Sequence, residues 1–133
     1  MGHVNIIEYV TIASPGNATD FGDLTQLRSY VGGVSNGTRG CFGGGLISPY
    51  TNIIDYVNIA STGDASDFGD LTAARKGHAY SDGTKGCWVG GNDASTYHDV
   101  IDYVNIASTG DASDFGNLTQ GISDNACTSG KSS

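Results

Sequence analysis

The stretch that decides the fold is DYVNIASTGDASDFGDLT, residues 55–72, which returns as DYVNIASTGDASDFGNLT at residues 102–119. The two copies differ only at Asp70, which is Asn117 in the later copy. A looser version, EYVTIASPGNATDFGDLT, occupies residues 8–25. Corresponding aromatic residues are 47 positions apart in all three copies: Tyr9, Tyr56 and Tyr103, and Phe21, Phe68 and Phe115. A fixed period of this length is the signature of a repeat architecture.

Each period divides into four strand-like pieces. In order they are SYVGGVS or GHAYS, then RGCFGG or KGCWVGG, then NIIDYVNIAS and SDFGDLT. The first two pieces are joined by Asn36-Gly37 or Asp82-Gly83, which predicts a two-residue hairpin turn because both residues tolerate positive φ. The 21 glycines and the absence of helix-period apolar stripes also favour short strands. Four strands in about 45 residues predict an all-β chain built from propeller blades.

These residues resemble kelch motifs. The order is an Arg, a hairpin ending in a Gly pair, an Asp-Tyr and then an aromatic residue before the next Arg. The pairs Gly43-Gly44 and Gly90-Gly91 match the kelch double glycine, and Tyr56 and Tyr103 match its tyrosine. Phe68 and Phe115 stand where kelch motifs usually have Trp. The nearly uniform sequence of the repeats is similar to that of kelch-like arrays in structural and tail-fibre-like proteins of marine bacteriophages, especially cyanophages. That resemblance implies a virion protein made in the host cytoplasm.

The repeat boundaries predict one propeller segment with an incomplete blade at each end. Residues 5–25 correspond to the outer hairpin of a blade, 26–72 and 73–119 to full blades, and 120–133 to the first strand of a split blade. Ile122 stands where the preceding periods have Arg28 and Arg75. Because blades bury their faces only against neighbours, we expect two chains to close a six-bladed ring, as a homodimer. A fragment of a longer array is the alternative.

Composition argues against several classes of partner. Fourteen acidic residues against six Lys and Arg repel nucleic acid, so we expect no nucleic-acid partner. No apolar run is long enough to span a membrane, and we expect no secretory signal. Three cysteines without metal-ligand spacing indicate reduced thiols, with Cys41 and Cys87 as packing residues.

The acidic turn and the repeated arginines each allow two interpretations. Asp64, Asp67 and Asp70 form a calcium candidate, but Asx turns explain the same residues, and we therefore expect no cofactor. Arg28 and Arg75 could hold an acidic or sugar ligand. As structural residues they would pair with an Asp of the preceding DFGDLT or cap carbonyls between blades.

The remaining ligand-binding candidates lie where the repeats diverge. They are Tyr50, Tyr97 and His98 in variable loops, and Tyr30 and His78 on the first strand of a blade. No nucleophile elbow, metalloprotease motif or nucleotide-binding loop is present, so we expect no enzyme. The sequence predicts a structural or binding propeller that self-assembles and recognises a host-surface glycan or protein. A scaffold without a ligand is the competing hypothesis, and a hydrolase using the channel is the third.

Overall fold

The chain folds entirely as antiparallel β-structure. The computed structural model describes residues 2–129, and over this range it contains ten strands and no helix. The strands are β1 Val4–Tyr9, β2 Thr19–Arg28, β3 Gly32–Ser35, β4 Arg39–Gly43, β5 Ile53–Asn58, β6 Ser66–Asp70, β7 Ala79–Ser81, β8 Lys85–Val89, β9 Val100–Asn105 and β10 Ser113–Asn117. The all-β prediction is confirmed. A search of these residues for a helix long and apolar enough to cross a membrane found none.

The strands form three separate sheets that follow the sequence repeat. The N-terminal sheet is β1–β2, the middle sheet is β3–β4–β5–β6, and the C-terminal sheet is β7–β8–β9–β10. Strands adjacent in sequence are adjacent in each sheet, and none of the sheets in residues 2–129 closes on itself. We call the contact between the N-terminal and middle sheets the first junction, and that between the middle and C-terminal sheets the second junction.

The core lies in the second junction. Trp88, Ile54 and Ile106 are fully buried there, together with Cys41, Phe68, Leu71 and Val104. The indole Nε1 of Trp88 donates to the carbonyl of Gly32 at 3.1 Å, which joins the C-terminal sheet to the middle sheet. Cys41 and Cys87 are buried free thiols, as predicted, and burial raises the pKa of Cys41 to about 11.

The hairpin turns contain two residues, as predicted, but lie one position later in the chain. Asn36 N donates to Arg39 O at 3.2 Å, which leaves Gly37 and Thr38 in the turn, and Asp82 N donates to Lys85 O in the same way. Gly37 has a φ of 89°, whereas Asn36 keeps negative φ and its Oδ1 accepts the amides of Thr38 and Arg39. The predicted position was wrong, because the Asx turn keeps Asn36 paired with the opposite strand.

The glycine pairs also align differently from the sequence prediction. Gly45 N donates to the Arg75 carbonyl at 2.8 Å, and Gly91 N donates to the Ile122 carbonyl at 2.9 Å. The structural equivalent of Gly90-Gly91 is therefore Gly44-Gly45 rather than Gly43-Gly44. These bonds also place Ile122 where the preceding repeat has Arg75. Residues 120–129 form no strand, and residues 130–133 of the predicted strand lie outside the described residues.

Candidate interaction site at the end faces

A buried Thr–Asp–Arg group ties each pair of neighbouring sheets together. In the first junction, Thr25 donates to Asp55 through its hydroxyl at 2.6 Å and its amide at 3.0 Å. Arg28 Nη2 lies 3.0 Å from the same carboxylate, and both side chains are fully buried. The second junction repeats the group with Thr72, Asp102 and Arg75, where the ion pair measures 2.9 Å. The predicted partner of the arginines was wrong, since the acceptor is the Asp of Asp-Tyr and not an Asp of DFGDLT.

The two arginines differ in how well they are satisfied. Arg75 also donates to the carbonyls of Gly90, Ala73 and Trp88 at 2.7 to 3.1 Å. Arg28 reaches only the Phe42 carbonyl besides Asp55, and its buried Nε and Nη1 find no partner among the described residues. Burial lowers the pKa of Arg28, and the Asp55 carboxylate opposes that shift. Both guanidinium groups are fully buried and paired with a carboxylate, so neither is accessible to a ligand.

A second interlock joins the acidic turn of one repeat to the outer strand of the preceding repeat. In the first junction, Gly63 N donates to Phe21 O at 2.7 Å and Ala65 N to Asp23 O at 2.8 Å. The amide of Asp23 donates in return to Asp64 Oδ1 at 3.0 Å. An ideal Cβ on Gly22 would lie 2.2 Å from the Gly63 carbonyl oxygen, so a side chain cannot fit there.

The second junction repeats that interlock bond for bond. Gly110 N donates to Phe68 O and Ala112 N to Asp70 O, both at 2.8 Å. The amide of Asp70 donates to Asp111 Oδ1 at 3.1 Å. A Cβ on Gly69 would lie 2.3 Å from the Gly110 carbonyl oxygen. The turn and the outer strand are therefore two halves of one recurring contact.

Each end of the array presents one half of this contact without the other. On the last outer strand, a Cβ on Gly116 would meet no atom within 4 Å, in contrast to the equivalent Gly22 and Gly69. We call the surface carrying Phe115 and Gly116 the C-terminal face. The surface carrying Val10, Ile12 and the Gly16-Asn17 turn is the N-terminal face.

Burial of equivalent side chains shows which faces are open. Phe21 and Phe68 are 9% and 3% exposed, whereas Phe115 on the C-terminal face is 56% exposed. On the opposite side, exposure falls from 95% at Ile12 through 44% at Ile59 to 0% at Ile106. Ile106 is thus buried where a four-stranded sheet covers it, Ile59 is partly covered by the two-stranded N-terminal sheet, and Ile12 and Phe115 have no neighbouring sheet among the described residues. Both end faces therefore expose apolar side chains that are more buried at equivalent positions inside the array.

The polar residues of the two end faces are also complementary. Asp70 and Asp111 meet across the second junction, and burial together with the charges of Asp111 and Asp67 raises the pKa of Asp70. The equivalents at the ends are Asn117 and Asn17. A junction formed from these ends would keep the acceptor oxygen and remove the repulsion between carboxylates. The Thr–Asp–Arg group changes there to Thr119, Glu8 and Ile122, which keeps the carboxylate but loses the arginine.

The loop residues predicted to bind a ligand are partly brought together. Tyr50 and the Asp93–Ser95 segment line one groove of about 280 Å³, joined by Pro49 and Ala74. Tyr97 is 68% exposed in the same loop, and His98 Nε2 lies 3.1 Å from Asp93 Oδ2. This contact and the amides of Ser95 and Thr96 lower the pKa of Asp93 to about 2, the Ser95 amide having the largest effect.

Tyr30 and His78 lie in a different cluster. Tyr30 is an exposed residue with a φ of 59°, and the Lys76 ammonium sits 4.6 Å above the centre of its ring. Asp124 Oδ1 lies 3.5 Å from Lys76 Nζ and 3.8 Å from His78 Nε2. This cluster does not include Tyr50, Tyr97 or His98.

The calcium candidates find no support in the geometry. Within residues 2–129, no three His, Cys, Asp or Glu side chains are grouped so that they could hold a metal. Asp64 accepts the amide of Asp23 across the first junction, while Asp70 contacts the turn of the C-terminal sheet. The acidic turn therefore acts through backbone hydrogen bonds between sheets.

Two kinds of junction residue were not predicted from the sequence: the acceptors Asp55 and Asp102, and the glycines Gly22 and Gly69. A charged residue inside an apolar strand, repeated with the strand, was the available signal for the two aspartates. Comparison of the chain with models of known protein families and with curated proteins found no match in either.

Proposed function

We propose that this chain is a propeller-type repeat module that associates with copies of itself, the C-terminal face of one copy packing on the N-terminal face of the next. Two copies would then close a ring of six sheets. Such a contact is heterologous, because different surfaces of the two copies meet, and it ends in a ring when the rotation closes. The module would act as a structural or binding component and not as an enzyme.

The observation that carries the proposal is the interlock that recurs in both internal junctions. Phe115 O, Asn117 O and Asn117 N occupy the positions of Phe68 O, Asp70 O and Asp70 N. In the sequence repeat, Gly16 N, Ala18 N and Asn17 Oδ1 correspond to Gly110 N, Ala112 N and Asp111 Oδ1, which complete the interlock in the second junction. Every hydrogen bond of the interlock has both its groups available between two copies, while Phe115 and Ile12 supply the apolar contact.

Complementation between two variants tests this arrangement. Phe115→Asp disables the C-terminal face and leaves the N-terminal face intact, and Ile12→Asp does the reverse. Each variant alone should be monomeric, because a charge would be buried in an apolar contact. An equimolar mixture should form a heterodimer through the one intact junction, measured by native mass spectrometry.

Tyr97→Asp is the matched control, since it places the same charge on an exposed aromatic residue outside both end faces. This variant should associate like the unaltered chain. A mixture of the two face variants that stays monomeric would refute the heterologous contact, as would association of either variant alone.

The groove beside Tyr50 supports a second proposal, recognition of a host-surface glycan or protein by the variable loops. Aromatic faces beside hydroxyl and carboxylate groups suit sugar rings. The resemblance of the repeat sequence to phage structural proteins supports a virion location for such a module. Tyr50→Ala and Tyr97→Ala should each reduce binding on a glycan array about tenfold, whereas Thr62→Ala, in an exposed turn of the middle sheet, should not. Unchanged binding by both tyrosine variants would rule out the loops.

A further inference from the structure

Among residues 2–129, one edge of β1 has no strand beside it. In the other sheets, the equivalent strands β5 and β9 lie between two partners, with β4 or β8 on one side. β1 pairs with β2, and no other strand of residues 2–129 pairs with it. Ile53 turns its carbonyl toward β4, where Gly44 N donates to it at 3.1 Å. By equivalence, the free edge of β1 presents the backbone groups of Ile6, Glu8 and Val10.

An apolar groove follows this free edge. It consists of two cavities of about 510 and 350 Å³ that both touch Ile7, Glu8 and Phe42. The larger is lined by Val34, Cys41, Val57 and Ile59 of the middle sheet, among others, and the smaller by Val4, Ile6, Leu24 and Val31.

The corresponding space in the second junction is filled. Trp88, the equivalent of Phe42, is fully buried there, whereas Phe42 is only partly buried. Ile106 is likewise 0% exposed where Ile59 remains 44% exposed. What fills this space in the second junction is the inner half of the middle sheet, β3 and β4, through Gly32, Val34 and Gly43.

β4 shows which side chains fit the space. A Cβ on Gly43 would lie 2.6 Å from the Trp88 ring, so only glycine is accepted under that ring. At the other end of the strand, the Arg39 guanidinium lies 4.6 Å above the centre of the Tyr56 ring. Lys85 covers Tyr103 in the same way at 5.0 Å. Tyr9, the equivalent ring on β1, has no such cation among the described contacts and is 42% exposed.

We infer that the free edge of β1 is a binding site for an extended segment of a partner polypeptide. The sequence of that segment is a basic residue, Gly, a small residue, any residue and then consecutive glycines. The segment adds to the N-terminal sheet antiparallel to β1, so that backbone hydrogen bonds provide affinity and side-chain positions provide selectivity. Its cation covers Tyr9, and a glycine lies against Phe42. This site shares Glu8 and Val10 with the contact between end faces, but peptide binding there does not require self-association.

A peptide titration tests the inference. The probe is a labelled peptide of residues 39–45, RGCFGGG, added under reducing conditions to the Phe115→Asp chain, so that self-association does not compete. Fluorescence anisotropy should show saturable binding, and amide chemical shifts should change at Ile6, Glu8 and Val10. The same peptide carrying Gly43→Val should bind about tenfold more weakly, because its side chain meets Phe42.

The controls separate binding at the β1 edge from nonspecific adhesion of the peptide. A scrambled peptide of the same composition should not bind. Equal affinity of the RGCFGGG and Gly43→Val peptides would overturn the inference, as would shift changes confined to residues away from β1 or no binding at millimolar peptide. Because the titration uses one chain and one peptide, its result stands whether or not copies of the chain associate.

Discussion

Glycine is required in this protein where one sheet crosses another. Gly43 and Gly33 face different surroundings although both lie in the middle sheet. A Cβ on Gly43 would meet the Trp88 ring at 2.6 Å, whereas a Cβ on Gly33 would meet its nearest atoms at 3.8 and 4.0 Å. The spacing between sheets is therefore set by individual residues.

We expect Gly43→Ala to reduce the free energy of unfolding by about 1–3 kcal/mol, because the Trp88 ring must shift in a packed core. Gly33→Ala, the matched control, should change it by less than about 0.5 kcal/mol. Urea unfolding followed by Trp88 fluorescence measures both. Equal losses would show that the close packing at Gly43 does not determine its identity.

Asp70 is a second residue with an effect on stability of its own, because it lies close to other carboxylates in the second junction. Its pKa is raised above the usual 3.8 by burial and by the charges of Asp111 and Asp67, so the folded chain holds this proton more tightly than the unfolded chain. Ionisation of Asp70 therefore removes stability as pH rises through the window above 3.8.

Asp70→Asn should consequently raise the free energy of unfolding at pH 7 by up to about 0.5 kcal/mol for this partly exposed site, and the melting temperature with it. The gain should vanish at pH 3, where the carboxyl group is protonated in both states. Asn117→Asp, in the same repeat position without a neighbouring turn, should have no such effect in a monomeric chain. A gain of equal size at pH 3 and pH 7 would contradict the electrostatic cause.

At the scale of strands and sheets, the buried ion pairs hold neighbouring repeats together. Asp55 on β5 accepts from Thr25 and Arg28 near the end of β2, and Asp102 on β9 accepts from Thr72 and Arg75 in the segment after β6. Each group therefore joins one strand to the chain segment that leads into its sheet. Loss of one partner leaves an unpaired buried charge, and the resulting loss of stability is larger than the net stabilisation that the intact pair provides.

Arg75→Met should cost about 3–5 kcal/mol of unfolding free energy, because Asp102 would remain buried without its cation. Arg28→Met should cost less by about 1 kcal/mol or more, since Arg28 makes fewer carbonyl hydrogen bonds and leaves Nε and Nη1 unsatisfied. Urea denaturation of the two variants compares them directly. A larger loss for Arg28→Met would show that these carbonyl bonds do not account for the difference.

Much of the strand order was predictable because the period is strict. Alternation around Tyr56 and the turn before Phe68 identify the outer hairpin, and Asn36-Gly37 identifies the inner one. The acceptor of Arg75 was not predictable, because six aspartates lie within its period, residues 73–119, and spacing does not show which one is buried. The role of Gly22 and Gly69 was also hidden, since their close contacts are with residues about 40 positions away, in another sheet.

At the scale of the whole molecule, residues 2–129 form an array with two unlike open faces. The C-terminal face has an exposed Phe115 and an unfilled position at Gly116, while the N-terminal face has an exposed Ile12. Asn17 and Asn117 fall on opposite faces, at the two positions that meet in each internal junction. Single-chain stability and association should therefore respond to different residues: Arg75 and Gly43 for the first, Phe115 and Ile12 for the second.

The mass of the unaltered chain in solution tests self-association through the end faces most directly. Sedimentation velocity across a wide range of protein concentrations should give a species of twice the 13.6 kDa chain mass, with the frictional ratio of a compact closed ring. A chain that sediments at 13.6 kDa at the highest concentrations would contradict this mode of association.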